Sequence, residues 1–316
     1  MDDGLDLVVI GDANPDLVLV GDVEPVFGQV ERLVDGAHLT VGGSGAIAAI
    51  AAARLGLRVA FCGVVGDDIF GRFVRDELRS RSVDVDGLTI LDGRPTGVTL
   101  VLARSTDRAI LTHPGTIGDL TVERLDRRLV DRARHVHVGS FFLQPALATG
   151  LPAVLEGVRA RGGTTSIDPN WDPAERWDGG LREVLAHTDV FFPNAAEATR
   201  IAGVEPIERA VAALAASSGA RLIVVKAGSD GAVAADGDRL VRAPAPAVDP
   251  IDATGSGDAF DAGFLASWLA DDPLERCLAI ANACGALATR ALGGVDGQPT
   301  IAEAIALVDG PDSRSV

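Results

Sequence analysis

The chain has 316 residues, a hydrophobic fraction of 47% and a formal net charge of −17 at pH 7. This length allows one large domain or two smaller ones, and the negative charge argues against nucleic acid as a partner because phosphate backbones are repelled. Apolar runs stay short of the roughly 18 residues that a membrane span needs, and the first residues, MDDGLD, are acidic where a secretory signal is basic. We therefore expect a soluble cytoplasmic protein with no membrane contact.

Apolar strand-like runs alternate with helical patterns along most of the chain. The first strand run is LDLVVIG at 5–11, and a helical pattern at 45–56 precedes the next run at 58–66. Later strand runs, preceded by helical stretches such as 145–161, 173–187 and 206–218, occupy 135–140, 164–170, 189–194 and 221–228. This alternation predicts parallel βαβ units with helices on both faces of a sheet. Ligands of such sheets bind beyond the carboxyl ends of the strands.

Two stretches, 16–41 and 94–112, break the alternation. Each carries strand-like alternation with no helical pattern inside it, which indicates a small antiparallel sheet inserted into the α/β body. Such an insertion is suited to act as a lid. The predicted organisation is a core of 1–15, 42–93 and 113–308, a lid of 16–41 and 94–112, and a disordered tail of 309–316.

The stretch DATGSGDAF, residues 252–260, is the strongest local signal for chemistry. Gly255 and Gly257 allow the backbone to turn and a ligand to approach, and an apolar helical pattern begins directly after them. Exposed N–H groups from Gly255 to Asp258 would then form an anion hole at the positive end of a helix. Asp258 would accept a proton from a hydroxyl that attacks a phosphate there, and we expect the helix dipole to keep it ionised. An ordinary helix start, with Asp258 as a first-turn stabiliser, is the alternative.

Two common nucleotide-binding patterns, the P-loop and the dinucleotide fingerprint, suggest alternative functions. Lys226 is the single lysine of the chain, and no G-x-x-x-x-G-K-[ST] loop is present, which excludes the P-loop class. Residues 43–48 satisfy G-x-G-x-x-A, so a dinucleotide-binding oxidoreductase is a second hypothesis. The following strand, 58–66, lacks an acidic residue at its end to hold a ribose diol, and this absence weakens the oxidoreductase hypothesis.

Several ordered motifs between about residues 5 and 300 resemble the ribokinase-like (PfkB) carbohydrate kinases. DATGSGDAFDAGFLAS is similar to the family's C-terminal signature, and 41–71 is similar to its N-terminal one; GDANPD, PNAAEA and VVKAGSDGA also match in order. The resemblance implies a three-layer α/β/α fold with a mostly parallel central sheet and a small β-sheet lid. It also implies an ATP- and Mg²⁺-dependent kinase that phosphorylates a hydroxyl of a small sugar. A nucleoside kinase of the same family and a non-catalytic sugar sensor are the other possibilities, and activation by K⁺ stays open.

The resemblance assigns roles to individual positions. Asp258 corresponds to the catalytic base, with Gly255, Ser256 and Gly257 as the anion hole. Asn194, Lys226, Gly228, Gly231 and Asn282 correspond to nucleotide contacts. Glu197 would organise Mg²⁺ and its waters, and Asp252 would shape the cation environment indirectly.

The acceptor side is implied in the same way. Asp16, Gly42 and Gly43 correspond to positions that hold the sugar. Asp12 and Asn14 lie on the same turn and could hydrogen-bond its hydroxyls, with an ordinary turn role as the alternative for each. Ile47 stands where the ribose-kinase pattern has an Asn, and Ser44 where it has a Lys. We therefore expect Ile47 to contact a less polar part of the acceptor, which puts ribose itself in doubt. Asp168 closes a strand at the same sheet edge, and the lid is expected to mediate a homodimer.

Overall fold

The computed structural model describes residues 4–104 and 108–310. Within those ranges the strands are β1 Leu5–Ile10, β2 Asn14–Val20, β3 Gly36–Gly42, β4 Val59–Gly66, β5 Leu88–Leu91, β6 Val98–Ala103, β7 Arg108–His113, β8 Ala133–Val138, β9 Thr164–Ile167, β10 Val190–Phe191, β11 Leu222–Lys226, β12 Ala232–Asp236 and β13 Arg239–Ala243. The helices of the same ranges are α1 Ser44–Arg54, α2 Ile69–Ser80, α3 Arg127–Val130, α4 Pro145–Ala148, α5 Leu151–Ala160, α6 Leu181–Leu185, α7 Ala195–Ala202, α8 Ile207–Ser217, α9 Ser256–Trp268, α10 Leu274–Ala288 and α11 Ile301–Asp309.

The larger sheet of the described chain has nine strands in the order β13-β12-β11-β10-β9-β8-β1-β4-β5. All neighbouring pairs from β11 to β5 are parallel. One apolar cluster packs α1, α2, α9 and α10 on one face, and a second packs α5, α6 and α8 on the other. The predicted three-layer α/β/α fold is therefore confirmed. The antiparallel hairpin β12–β13 at one edge is an element that the sequence pattern did not predict.

A second, smaller sheet contains four strands in the described chain, in the order β3-β2-β6-β7. We call it the small sheet. Its strands lie at the ends of 16–41 and within 94–112, although β2 already begins at Asn14 and β3 extends to Gly42. The sheet is mixed and not antiparallel throughout as expected: β2–β3 and β6–β7 are antiparallel, but β2 and β6 are parallel, because the chain passes through the larger sheet between them. Residues 105–107 of the predicted lid, and 311–316 of the predicted tail, lie outside the described residues. The helix α11 extends to Asp309, one residue into the predicted tail.

Two predicted helices differ from the structure. The stretch 145–161 is divided at Gly150 into α4 and α5, each with a proline in its first turn. Of the stretch 173–187, only α6 is helical. The carboxylate of Asp172 accepts hydrogen bonds from the N–H groups of Ala174, Arg176 and Trp177, and this turn replaces the expected helical bonds.

Parallel order brings distant parts of the sequence to one edge. The carboxyl ends of β1, β9, β10 and β11 are neighbours or near neighbours in the sheet. Asp12, Asp168 and Asn194 follow β1, β9 and β10, and Lys226 is the last residue of β11. Polar groups that are far apart in sequence therefore meet at the edge where ligands of α/β sheets bind.

Candidate active site

The helix α9 begins without a side-chain cap. Its N-cap residue, Gly255, has a φ of 73°, and a Cβ there would lie 2.6 Å from the carbonyl oxygen of Gly294. The N–H of Ser256 donates to the carbonyl of Ala253 at 3.3 Å. Within the described residues, the N–H groups of Gly257 and Asp258 have no hydrogen-bond acceptor. These donors at the positive end of a buried helix suit an anion.

The loop before α9 is fixed by Asp252. Its carboxylate accepts from the N–H of Thr254 at 2.9 Å, from the Thr254 hydroxyl at 2.7 Å and from the N–H of Gly293 at 2.9 Å. Arg108 on β7 reaches the same loop and donates to the Thr254 hydroxyl. Asp252 thus shapes the turn that precedes the free N–H groups, as its residue type favours.

Asp258 lies in the first turn of α9 and is partly buried. Its Oδ1 accepts a hydrogen bond from the hydroxyl of Ser44, at the start of α1. Burial and the nearby Asp168 carboxylate raise the pKa of Asp258 to about 7, although Ser44 and Lys226 act in the opposite direction. Desolvation therefore acts against the ionisation that the helix dipole was expected to favour, and Asp258 is only partly ionised near pH 7. Near pH 7 the group can both accept and release a proton.

The predicted acceptor residues lie between β1 and α1. Asp12 Oδ1 accepts from the N–H of Gly45 at 3.0 Å, and burial raises the pKa of Asp12. The amide of Asn14 donates to Asp16 Oδ1 at 2.9 Å and to the Thr99 hydroxyl at 3.2 Å. Burial raises the pKa of Asp16 to about 7. These groups form a polar wall that continues into the small sheet through Thr99.

The glycine pair before α1 has a steric explanation. A Cβ on Gly42 would collide with the Asp16 carboxylate, and a Cβ on Gly43, at a φ of 84°, would lie 2.8 Å from the carbonyl oxygen of Asp12. Both glycines allow the polar wall to close. The strand that leads into them, β3, belongs to the small sheet, where it pairs antiparallel with β2, and not to the larger parallel sheet. The context that a dinucleotide fingerprint requires is absent, and the oxidoreductase hypothesis was wrong.

Ile47 lies in the first turn of α1, next to this glycine pair. Its side chain is 4% exposed and packs in the core between α1 and α9, close to Gly294. Its contact with a less polar part of the acceptor stays a prediction.

Lys226 is buried in an ion cluster. Its Nζ lies 2.7 Å from Asp168 Oδ2 and 3.1 Å from Asp261 Oδ2. Although Lys226 ends a strand, it is not solvated, because its side chain is 11% exposed. Asp261, three residues after Asp258 and fully buried, was missed. The sequence did contain a signal for the pairing of Asp261 with Lys226. The apolar pattern of α9 includes two acids, and a buried acid usually needs a basic partner.

A cleft of about 510 Å³ lies beside the start of α9, between β11, α10 and the segment after β13. Predicted nucleotide residues line it: Lys226, Gly228, Gly231 and Asn282. The Asn282 amide donates to the carbonyls of Ala243 at 3.0 Å and Pro244 at 3.2 Å, which fixes the cleft wall. Gly228 and Gly231 have φ values of 60° and 89°, as tight turns need. The size and mixed lining suit a nucleotide.

Asn194 and Glu197 form a complete capping box at the start of α7. Glu197 Oε2 accepts from the N–H of Asn194 at 2.9 Å, and Asn194 Oδ1 accepts from the N–H of Glu197 at 2.9 Å. Burial, followed by repulsion from Asp168, raises the pKa of Glu197 to about 7. Over the described residues there is no cluster of three or more metal-binding side chains. An Mg²⁺ ion bound here would depend on phosphate oxygens and water, which is its usual preference.

Comparison with known proteins identifies the family of the chain. Residues 5–301 match the family described as pfkB family carbohydrate kinase. The chain belongs to this family. The predicted resemblance is confirmed, and the kinase is a phosphotransferase that uses ATP and a hydroxyl acceptor on a carbohydrate.

Relatives with curated names include two sugar kinases. The chain is 36% identical over 267 residues to an ATP-dependent ribose-1-phosphate kinase of Halopiger xanaduensis, covering 84% of this chain and 85% of the relative. It is 34% identical over 272 residues to a fructokinase of Klebsiella pneumoniae, covering 82% and 88%. A candidate ribokinase II from E. coli, solved with ATP and Mg²⁺, superposes with a TM-score of 0.85 at 26% identity, covering 96% of this chain and 99% of that one.

Proposed function

We propose that the uncapped start of α9 is the phosphoryl-transfer site of this carbohydrate kinase. The observation that carries the proposal is the conjunction of two unsatisfied N–H groups, on Gly257 and Asp258, with an Asp258 carboxyl that can exchange a proton near pH 7. Phosphoryl transfer requires mainly positioning and electrostatic stabilisation, and this arrangement supplies both.

In the proposed reaction, the acceptor hydroxyl lies between Asp258 and the γ-phosphorus of ATP. Asp258 takes the hydroxyl proton as the acceptor oxygen bonds to phosphorus, the bond from phosphorus to the β,γ-bridging oxygen breaks, and ADP leaves with that electron pair. The free N–H groups of α9 stabilise the charge on the transferred group. Ser44 holds the carboxyl of Asp258 in orientation through its hydrogen bond.

We assign the cleft between β11 and α10 to the nucleotide, because it opens directly beside Ser256 and Gly257. Glu197 is the proposed outer-sphere partner of Mg²⁺, and Asp252 acts indirectly by holding the loop. Mg²⁺, when bound, neutralises charge on the phosphate oxygens. We propose that the turn at Gly228 and Gly231 borders the nucleotide.

The proposed acceptor is a small sugar or sugar phosphate bound against Asp12, Asn14 and Asp16. Buried carboxylate and amide groups favour an acceptor that presents several hydroxyls. The named relatives act on ribose 1-phosphate and, by their name, fructose. Arg108, which acts electrostatically on Asp16, also lies near this wall and is compatible with an anionic acceptor.

The test is acceptor-dependent ADP formation with Mg-ATP over a panel of aldoses, ketoses, sugar 1-phosphates, sugar acids and nucleosides. We expect turnover with one sugar or sugar phosphate, in K⁺ and in Na⁺ buffers run in parallel. Turnover with nucleosides alone would replace the acceptor assignment by that of a nucleoside kinase. Sugar binding without ADP release would contradict the transfer site.

We further propose that the small sheet closes over the acceptor and forms the dimer contact of a cytoplasmic enzyme. The loop between β2 and β3 exposes Phe27 to 96% and Leu33 to 86%, and such side chains favour an interface. Among the described residues no helix is both long and apolar enough to cross a bilayer. Light scattering on Phe27→Asp should give a monomer where the unmodified protein gives a dimer; equal masses would overturn this contact.

A further inference from the structure

The buried cluster of Lys226, Asp168 and Asp261 holds two acids against one base. The side-chain exposures are 11%, 8% and 1%, so solvent cannot balance the charges. If both acids were ionised, the cluster would carry an uncompensated negative charge in the interior. Such a charge is costly, and buried groups usually take up a proton instead.

The hydrogen bonds of the two acids differ. Asp168 has a donor on each carboxylate oxygen, since Asn170 N–H lies 2.9 Å from Oδ1 and Lys226 lies 2.7 Å from Oδ2. Asp261 accepts only at Oδ2, and its buried Oδ1 has no hydrogen-bond partner in the described part of the chain. The pattern fits an ionised Asp168 and an Asp261 that carries a proton, because the two side chains are also within hydrogen-bonding contact.

The surrounding charges agree with this assignment. Burial raises the pKa of Asp261 well above its usual value, Lys226 opposes the shift, and Asp168 and Asp258 reinforce it. For Asp168, burial acts to raise the pKa, but the charge of Lys226 together with hydrogen bonds from Asp261, Lys226 and the Asn170 N–H lowers it below its usual value. His137 on β8 faces Asp168 and Lys226, and burial lowers the pKa of His137 to about 4, so it adds no charge.

The cluster lies beside the proposed transfer site. A Cβ on Gly257 would be 3.6 Å from Lys226 Nζ, so the ammonium lies next to the turn at the start of α9, where Lys226 also lines the cleft. Two neighbouring acids bind this ammonium. Its charge is therefore fixed in place before any phosphate arrives.

We propose that Asp261 is a positioning residue that stands as a carboxylic acid and, with ionised Asp168, holds the Lys226 ammonium beside the Gly257 turn. The charge of Lys226 then supports phosphate at the start of α9. This inference rests on the proposed transfer site.

Three variants separate the parts of the proposal. Asp261→Asn keeps the shape and the donor of a protonated acid, so kcat should stay within about 3-fold of the unmodified enzyme. Asp261→Ala removes the anchor, and kcat should fall about 10-fold, the effect of losing one hydrogen bond to a charged group, with the KM for acceptor unchanged. Lys226→Met should shift the acidic limb of the pH–rate profile to higher pH, because Lys226 lowers the pKa of Asp258.

Asp189→Asn is the matched control, since Asp189 is a buried acid that bonds the Thr165 N–H at 2.9 Å and lies in the loop before β10, at the opposite edge of the sheet. It should change stability but not the pH profile. A loss of turnover in Asp261→Asn as large as in Asp261→Ala would overturn the proposal, and so would unchanged turnover in Asp261→Ala. If Asp261→Ala does not fold, Asp261→Asn and the spectrum below decide.

Infrared difference spectra of unmodified protein against Asp261→Asn at neutral pH give a readout that does not need activity. We expect the carbonyl band of a protonated carboxyl in the unmodified protein and its loss in the variant. Absence of this band contradicts the protonated Asp261 even in an active kinase. Presence of the band in a protein without kinase activity would support the protonated Asp261 and contradict the proposed function instead.

Discussion

The starts of α9 and α11 use opposite designs. Helix α11 begins with a complete capping box, in which Thr300 and Glu303 bond each other's N–H groups. Helix α9 begins at a left-handed glycine with no cap, although it is far better buried. A cap satisfies the first N–H groups and stabilises the helix, whereas an uncapped start keeps them for a ligand. The comparison indicates that the start of α9 lacks the stabilisation of a cap and keeps its N–H groups available for an anion.

The largest effect should come from removing the acid at the uncapped start. In Asp258→Asn we expect kcat to fall about 10²- to 10⁴-fold, the usual range for a general base, while ATP affinity is kept. Steady-state kinetics and ATP titration measure the two quantities. Asp126→Asn, at the capped start of α3, is the control and should keep turnover. Retained turnover in Asp258→Asn would remove this acid from the mechanism.

The pH dependence should follow the same acid. Asp258 must be ionised to accept a proton, and its pKa of about 7 predicts that kcat declines as pH falls below about 7. The stability effect has the opposite direction: a pKa raised in the folded state gives stability below the unfolded value of 3.8 that is lost as pH rises through about 7.

Asp258→Asn should therefore melt at a higher temperature than the unmodified protein at pH 8, with a difference that vanishes toward pH 4. Thermal scans across this range provide the check. A variant that is less stable than the unmodified protein at pH 8 would show that burial of the ionised acid carries no cost.

The smallest effect should come from the capped helix. Thr300→Ala removes a capping box far from the cleft and should lower the free energy of unfolding by about 1 kcal/mol, with kcat unchanged. Denaturant unfolding measures the free energy of unfolding, and the ADP assay measures kcat. A large loss of turnover would mean that the two helix starts are not functionally separate.

Local signals in the sequence predicted the uncapped start well. The signal lies in four contiguous residues, Gly255 to Asp258. A glycine directly before an apolar helical pattern indicates a turn in the backbone at the start of the helix. The alternation of strands and helices likewise predicted the parallel sheet, because it depends on short-range periodicity.

Contacts between distant segments could not be predicted in this way. Ser44 meets Asp258, and Lys226 meets Asp168 and Asp261, only because the strand order brings them to one edge. The neighbours of Ile47 could not be predicted either, because α1 is apolar on all sides and its spacing does not reveal which face meets α9. The hairpin β12–β13 was missed since its Ala-rich run carries little strand preference.

The most direct measurement compares two glycines with nearly equal backbone strain. Gly255 and Gly203 have φ values of 73° and 68°, but a Cβ on Gly203 meets open space, whereas one on Gly255 collides with Gly294 and displaces the start of α9. Acceptor-dependent ADP formation should fall about 10²-fold in Gly255→Ala, the effect of losing one charge-stabilising donor, and stay unchanged in Gly203→Ala. Equal turnover in the two variants would contradict phosphoryl transfer at this helix start.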